Sequence, residues 1–315
     1  MNPTLRGGRL AAVVIGLVAL AATACGGGSP DSVTAPGPAA QTRTVVHAMG
    51  IAEIIGMPER VVVLDTGELD SVLALGVVPV GAVSAFANGE LLSYLGDQAR
   101  GVEIVGTIAE PNLEAIAALD PDLILSSKAR HEDIFGQLSQ IAPTVFAERV
   151  GVAWKENFTL AGEALGKSAE AERILADYQQ LAEQTGQRFG DPAATSISMV
   201  RFVGDVVRLY GQGSFIGSIL DDAGFARPSV QQVDQTFVEV SREQITQAEG
   251  DLMFYASFGA AGVTDQATVT AGPLWQGLPA VAQGRAREVP DDLWYLGIGP
   301  TAARLILEEL TGYAP

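Results

Sequence analysis

Between residues 60 and 147 the chain alternates short runs rich in valine, isoleucine and leucine with stretches of helical spacing. No other feature constrains the fold as much. RVVVLD (60–65) precedes GELDSVLALG (67–76), and VVPVGAV (77–83) and VEIVG (102–106) follow. NLEAIAAL (112–119) precedes DLILSS (122–127), and HEDIFGQLSQI (131–141) precedes APTVFA (142–147). Apolar strands alternating with helices predict a parallel sheet covered by helices, here a first α/β lobe over residues 45–156.

From 157 to 190 the pattern changes. Leu160, Ala164, Leu165, Ile174, Leu175, Tyr178 and Leu181 recur at helical spacing until Gly190-Asp191-Pro192, where glycine and proline stop a helix. One long connecting helix is predicted. A second lobe, 191–315, resumes with SISMVRFV, a Gly204-Asp205 turn and VVRLYG, which read as a hairpin. FIGSILDDAGF, SREQITQA, DLMFYAS and GPTAARLILEEL complete it. GQGSFIG (211–217) has neither the dinucleotide nor the P-loop spacing and is expected to turn a strand into a helix capped by Ser214.

The lobes echo each other. Glu114-x-Ile116 precedes Pro121-Asp122-Leu123, and Glu243-x-Ile245 precedes Gly250-Asp251-Leu252, with the same interval from Glu to Asp. Asn112 and Ser241 stand where N-caps belong, which puts both glutamates in a first helical turn. The helix dipole favours a carboxylate there by about 0.3–1 kcal/mol. That explains either residue alone but not their matched placement in two lobes.

The chain opens with Arg6 and Arg9, an apolar stretch over residues 10–24 and Ala22-Thr23-Ala24-Cys25, followed by a glycine run. Basic, apolar and small residues in that order are an export signal, residues 1–24, and too short to span a bilayer. The last four residues resemble the bacterial lipobox, which implies a Cys25 acylated on sulfur, with palmitate expected, and anchored to the extracytoplasmic face of a bacterial membrane. Residues 25–44, rich in Gly, Pro, Ser and Thr, read as a tether.

Cys25 is the only cysteine, and His47 and His131 are the only histidines. Disulfides, thiolate metal sites and a cysteine nucleophile are therefore excluded, and a multi-histidine metal site is not expected. The net charge is −18, from 19 basic and 37 acidic residues, and becomes −20 without Arg6 and Arg9. Such a surface repels phosphate backbones and anionic lipid, so nucleic acid is no partner and the membrane is met through the lipid alone. With no G-x-S-x-G present and no histidine near Asp221-Asp222 or Asp291-Asp292, both acidic pairs read as solvated carboxylates and no enzyme is expected. His47 is expected at a turn or strand edge, and His131 at a helix start or in the cleft.

HAMGIAEIIGMPERVVVL, LDSVLALGVVPVGA, EPNLEAIAALDPDLIL, LSQIAPTVF, VSREQI and GPLWQGLPAVAQGRAREV, in this order from His47 toward the C-terminus, resemble the solute-binding lipoproteins of ABC importers for iron–siderophores, related to vitamin B12 binders. The resemblance implies two Rossmann-like α/β lobes joined by one long α-helix, with a ligand cleft between them. It implies a monomer without cofactor, and a glutamate on each lobe that docks into the permease, at the positions of Glu114 and Glu243. Haem and cobalamin are the alternative ligands, haem needing an axial residue such as Tyr255 or Tyr210, and an envelope enzyme is the alternative of another class.

A ferric siderophore already satisfies its iron, so its binder needs aromatic faces and donors aimed at chelating oxygens. Arg201 matches a ligand-binding arginine in part of the family. Arg130 and Lys128 follow a strand at the expected cleft, and Phe258, Trp154, Tyr210 and Trp294 are the candidate aromatic contacts. Arg208, in the paired strand, is expected to be structural. Ile108 stands where some hydroxamate binders carry an arginine, and only three lysines are present (128, 155 and 167), so a weakly charged, hydroxamate-like complex is expected rather than a catecholate.

Overall fold

Val61–Val63 is buried on both faces, as a strand in the middle of a parallel sheet must be. It is β3 of the structure, a computed structural model that describes residues 42–315. The expected export signal, Cys25 and nearly all of the expected tether lie outside the described residues.

The first lobe contains the hairpin β1 (Thr42–His47) and β2 (Gly50–Ile55), then β3, β4 (Gly81–Ser84), β5 (Glu103–Thr107), β6 (Leu123–Ser127) and β7 (Thr144–Ala147). Its helices are α1 (Thr66–Ala74), α2 (Leu113–Ala118), α3 (Lys128–His131) and α4 (Phe135–Ile141). Strands β3 to β7 form one parallel sheet in the order β5-β4-β3-β6-β7. Val61 and Val63 point to one face, against Leu69 and Val72 of α1 and Phe158 further along the chain. Val62 and Leu64 point to the other, against Ile116 of α2 and Leu138 of α4.

Two helices connect the lobes, α5 (Trp154–Leu165) and α6 (Ser168–Arg188). The single helix expected over 157–190 is thus corrected. Gly166, in the left-handed region at φ 68°, ends α5 with its N–H turned back onto Glu163 and Gly162, and the 21-residue α6 is the long helix. The folded body also begins earlier than residue 45. Thr42 pairs with Ile55 across the hairpin, and Arg43 bonds the carbonyls of Gly56 and Ala164.

The second lobe contains β8 (Ile197–Val203), β9 (Val206–Tyr210), β10 (Phe237–Val240), β11 (Leu252–Phe258) and β12 (Ala286–Glu288), with α7 (Phe215–Asp222), α8 (Gly259–Thr270), α9 (Pro273–Gln276), α10 (Pro279–Ala282) and α11 (Pro300–Thr311). Its sheet order is β10-β9-β8-β11-β12. The expected hairpin is β8–β9, antiparallel, while β8, β11 and β12 are parallel. Ser214 caps α7 as expected, accepting from the Gly217 amide at 2.9 Å.

Side-chain hydrogen bonds fasten the lobes to each other. Asp70 of α1 accepts from the first amides of α11, and Trp154 of α5 donates to Ser218 of α7 at 3.1 Å. No helix among the described residues is long and apolar enough to cross a membrane.

Candidate functional site

Numbered within the first lobe, its parallel sheet runs 3-2-1-4-5, so the strand order reverses between β3 and β6. Ligands of such sheets sit at the carboxyl ends of the strands, at that reversal. Asp65, two residues past the end of β3, caps α1, accepting from the Thr66 amide at 2.7 Å. Arg130, just beyond β6, donates to Asp65 at 2.8 Å. The Asp65 side chain is 1% exposed and that of Arg130 39%. Arg130 lines a cleft of about 620 Å³ with Ser84, Phe86, Thr107 and Ile108 from the neighbouring strand ends, and the far wall includes Leu296 of the second lobe. Lys128 reaches Glu148 at 3.4 Å.

In the second lobe the corresponding reversal lies between β8 and β11. Arg201 of β8 is buried there, with its guanidinium carbon 4.7 Å from the Phe258 ring centre and 5.5 Å from that of Tyr295. It donates twice to Asp291, Nε at 2.5 Å and Nη2 at 2.6 Å, and once to the Tyr210 hydroxyl at 3.2 Å. Burial pushes the Asp291 carboxyl above the usual carboxylate range, outweighing the pull of Arg201. The next residues, Asp292–Leu296, form a single π-helical turn, which ends at the cleft wall. Such turns recur at functional sites.

Of the two acidic pairs expected to be solvated, only Asp221 is exposed; Asp222, Asp291 and Asp292 are not free carboxylates. Asp291 neutralises Arg201, while Asp292 crosses to the first lobe and accepts from the Ser93 amide at 2.8 Å and hydroxyl at 2.5 Å. Asp222 accepts from Lys155 at 2.6 Å and from the Tyr178 hydroxyl at 2.6 Å. Their partners come from remote parts of the chain, and no local pattern announces them.

The structure gathers Arg201, Phe258 and Tyr210 into one cluster and puts Arg130 and Lys128 on the opposite lobe. It places Trp154 and Trp294 elsewhere. Both are at most 1% exposed: Trp154 meets Tyr178 and Phe215 edge to face, and Trp294 stacks on Phe254 and donates to Glu309. Each is a core residue whose truncation would cost about 3–5 kcal/mol. Tyr210 is also in the core, with its ring edge-on to Tyr295.

His47 ends β1, as expected for a strand-edge residue, and its Nδ1 accepts from the Met49 and Phe146 amides. Both nitrogens of His131 are engaged, with the Ser126 hydroxyl and the Ile108 carbonyl, each at 2.7 Å, and burial holds its pKa down. Tyr255 packs edge-on against Trp275. Arg208 pairs across the strands with Glu239 at 3.0 Å, the structural role expected of it. Among the described residues no group of three acidic, histidine or cysteine side chains is placed to hold a metal.

The echo between the lobes separates into two parts. Asp122 accepts from the Glu59 and Arg60 amides at 2.8 and 3.0 Å, and Asp251 from the Ser196 amide at 2.8 Å, so each pins the chain just before the first sheet strand of its lobe. The repeated aspartate is structural. The glutamates are exposed, Glu114 in the first turn of α2 behind the Asn112 cap and Glu243 in a 3₁₀ segment, Arg242–Ala248, behind a Ser241–Gln244 capping box. The Ser241 hydroxyl holds the Glu243 carboxyl below the usual range. In the chain the two segments follow corresponding strands of their sheets, β5 and β10.

The sequence profile of the periplasmic binding protein family matches residues 61–293. Among curated proteins, YfiY of Bacillus subtilis (strain 168), named a probable siderophore-binding lipoprotein, is 40% identical over 285 residues, covering 87% of this chain and 88% of its own. The achromobactin-binding periplasmic protein of Dickeya dadantii (strain 3937) is 31% identical, covering 82% and 88%. Among solved structures, Staphylococcus aureus SirA complexed with staphyloferrin B superposes with a TM-score of 0.78 at 33% identity, covering 86% of this chain and 98% of that one.

Proposed function

The chain belongs to the periplasmic binding protein family, and on that premise we propose that it captures a ferric siderophore between its lobes and delivers it to the permease of an ABC importer. One observation carries this reading. Both sheets reverse their strand order beside an arginine, Arg130 just past the carboxyl end of β6 in one lobe and Arg201 inside β8, two residues before its carboxyl end, in the other, on the side where such sheets take ligands. Planar forks, that of Arg201 backed by the rings of Phe258 and Tyr295, suit the paired oxygens of an iron chelate. The relatives named for siderophore or ferric-citrate binding support the same class. The protein acts as a binder, not an enzyme, and no resident cofactor takes part.

Delivery rests on Glu114 and Glu243, which offer one exposed carboxylate per lobe to basic residues of a permease. In this reading Cys25 is lipidated, residues 26–41 tether the body to the extracytoplasmic face of the membrane, and the protein works as a monomer.

Arg130, Lys128 and Arg201 each have a carboxylate partner within the protein, so the cleft presents little net positive charge. This supports a weakly charged, hydroxamate-like complex as the ligand that binds with those pairs intact. Titration of the purified full chain in detergent with ferric siderophores, haem and cobalamin, followed by calorimetry and intrinsic fluorescence, tests the assignment. Saturable binding of at least one ferric complex is expected. Binding of haem or cobalamin alone would replace the siderophore reading.

A further inference from the structure

The three cationic residues assigned to the ligand are paired with acids in different ways. Asp65 is fixed: it is buried, caps α1, and it is the exposed Arg130 that can swing away. Lys128 and Glu148 are both partly open to solvent, at a longer 3.4 Å. At Arg201 the arrangement is the reverse of that at Asp65. The arginine side chain is 7% exposed and has supports other than its acid, namely the Tyr210 hydroxyl and the faces of Phe258 and Tyr295. The Asp291 side chain is 16% exposed, and among the described residues Arg201 is the only side chain that donates to it. It sits at the entry to the π-helical turn that leads to the cleft wall at Leu296.

If one partner leaves, Arg201 therefore stays in place and Asp291 moves. Asp291 also presents two coplanar oxygens to the Nε and Nη2 fork, which is the chemistry of a citrate-type carboxylate. We infer that Asp291 is an exchangeable counter-ion: it holds Arg201 until a carboxylate-bearing ferric complex takes its place, and it thereby sets how much negative charge the cleft accepts. This rests on the binding function proposed above and extends its ligands from weakly charged complexes to anionic ones. The exchange replaces one ion pair by another, so the buried guanidinium is never left bare, a state that would be costly.

The test compares the full chain with Asp291→Asn, using ferric dicitrate as the anionic probe and ferrioxamine B, a hydroxamate complex without an anionic group, as the control. Removing the competing charge is expected to tighten ferric dicitrate binding about tenfold and to give ferrioxamine B no such gain. Equal or weaker dicitrate binding by a folded variant, with the unsubstituted chain still binding, overturns the inference alone. Failure of the unsubstituted chain to bind any ferric complex overturns the proposed function and the inference with it. Should the variant not fold, the unsubstituted chain decides by NMR. The Arg201 Nε–H resonance is expected to shift with gallium citrate, the diamagnetic counterpart, and an unmoved resonance at saturation overturns the exchange.

Discussion

Asp70 of the first lobe caps a helix of the second: its buried carboxylate accepts from the Thr301 amide at 2.8 Å and the Ala302 amide at 3.0 Å, at the start of α11. Tyr94 donates to the same carboxylate at 2.8 Å. Burial still raises the pKa of this carboxyl, against the pull of the three donors and of the positive end of a helix dipole. Asp70→Ala is expected to leave those donors unsatisfied and to lower stability by about 3 kcal/mol. Thermal or denaturant unfolding measures it, and a loss under about 1 kcal/mol would show that the lobes are held elsewhere.

Glu68, in the first turn of α1, has no such donors from the second lobe. It faces a crevice of about 20 Å³ shared with Trp154, Asn157 and Ile298, and burial, with Asp65 beside it, pushes its pKa up from 4.5 to about 8. The folded protein therefore keeps a proton on Glu68 at neutral pH that the unfolded chain releases. Stability from this group is full below about pH 4.5 and declines as pH rises toward 8, by at most about 5 kcal/mol. Glu68→Gln is expected to flatten stability between pH 5 and pH 8, roughly the window of the shift. Unchanged pH dependence in the variant would contradict it.

Arg201 and Asp291 are expected to be coupled in stability and uncoupled in binding. Arg201→Met alone leaves a buried carboxylate unpaired and is expected to cost about 3–5 kcal/mol. Asp291→Leu added to it is expected to restore much of that stability while ferric-complex binding stays lost. A double-mutant cycle read by both melting and calorimetry checks this, and recovered binding in the double variant would remove Arg201 from the ligand site.

Glu114→Arg and Glu243→Arg change exposed residues whose neighbours are held by Asn112 and Ser241 caps, so melting temperature and ligand affinity are expected to stay close to those of the parent. Iron uptake by cells carrying either variant is expected to fall, and further when both are changed. Unimpaired uptake with the double reversal would leave the glutamates with only their helix-dipole role.

The core of the fold was legible because its signals are local. Valine runs such as Val61–Val63, the Ser214 cap, the β8–β9 turn and the Glu-to-Asp interval are written within a few residues, and each appears where the periodicity predicted it. The break at Gly166 was missed because the apolar spacing continues on both sides of it. Trp154 and Trp294 could not be separated from cleft aromatics in sequence, since burial is decided by what packs on them.

The sequence by itself determined two α/β lobes, a connecting helical segment and one capped glutamate per lobe, because periodicity and capping act over one or two helical turns. Tertiary structure alone decided the charge state of the site. Arg130 and Asp65 are 65 residues apart, Arg201 and Asp291 are 90 apart, and electrostatic energy depends on distance in space and on burial, neither of which a linear spacing records.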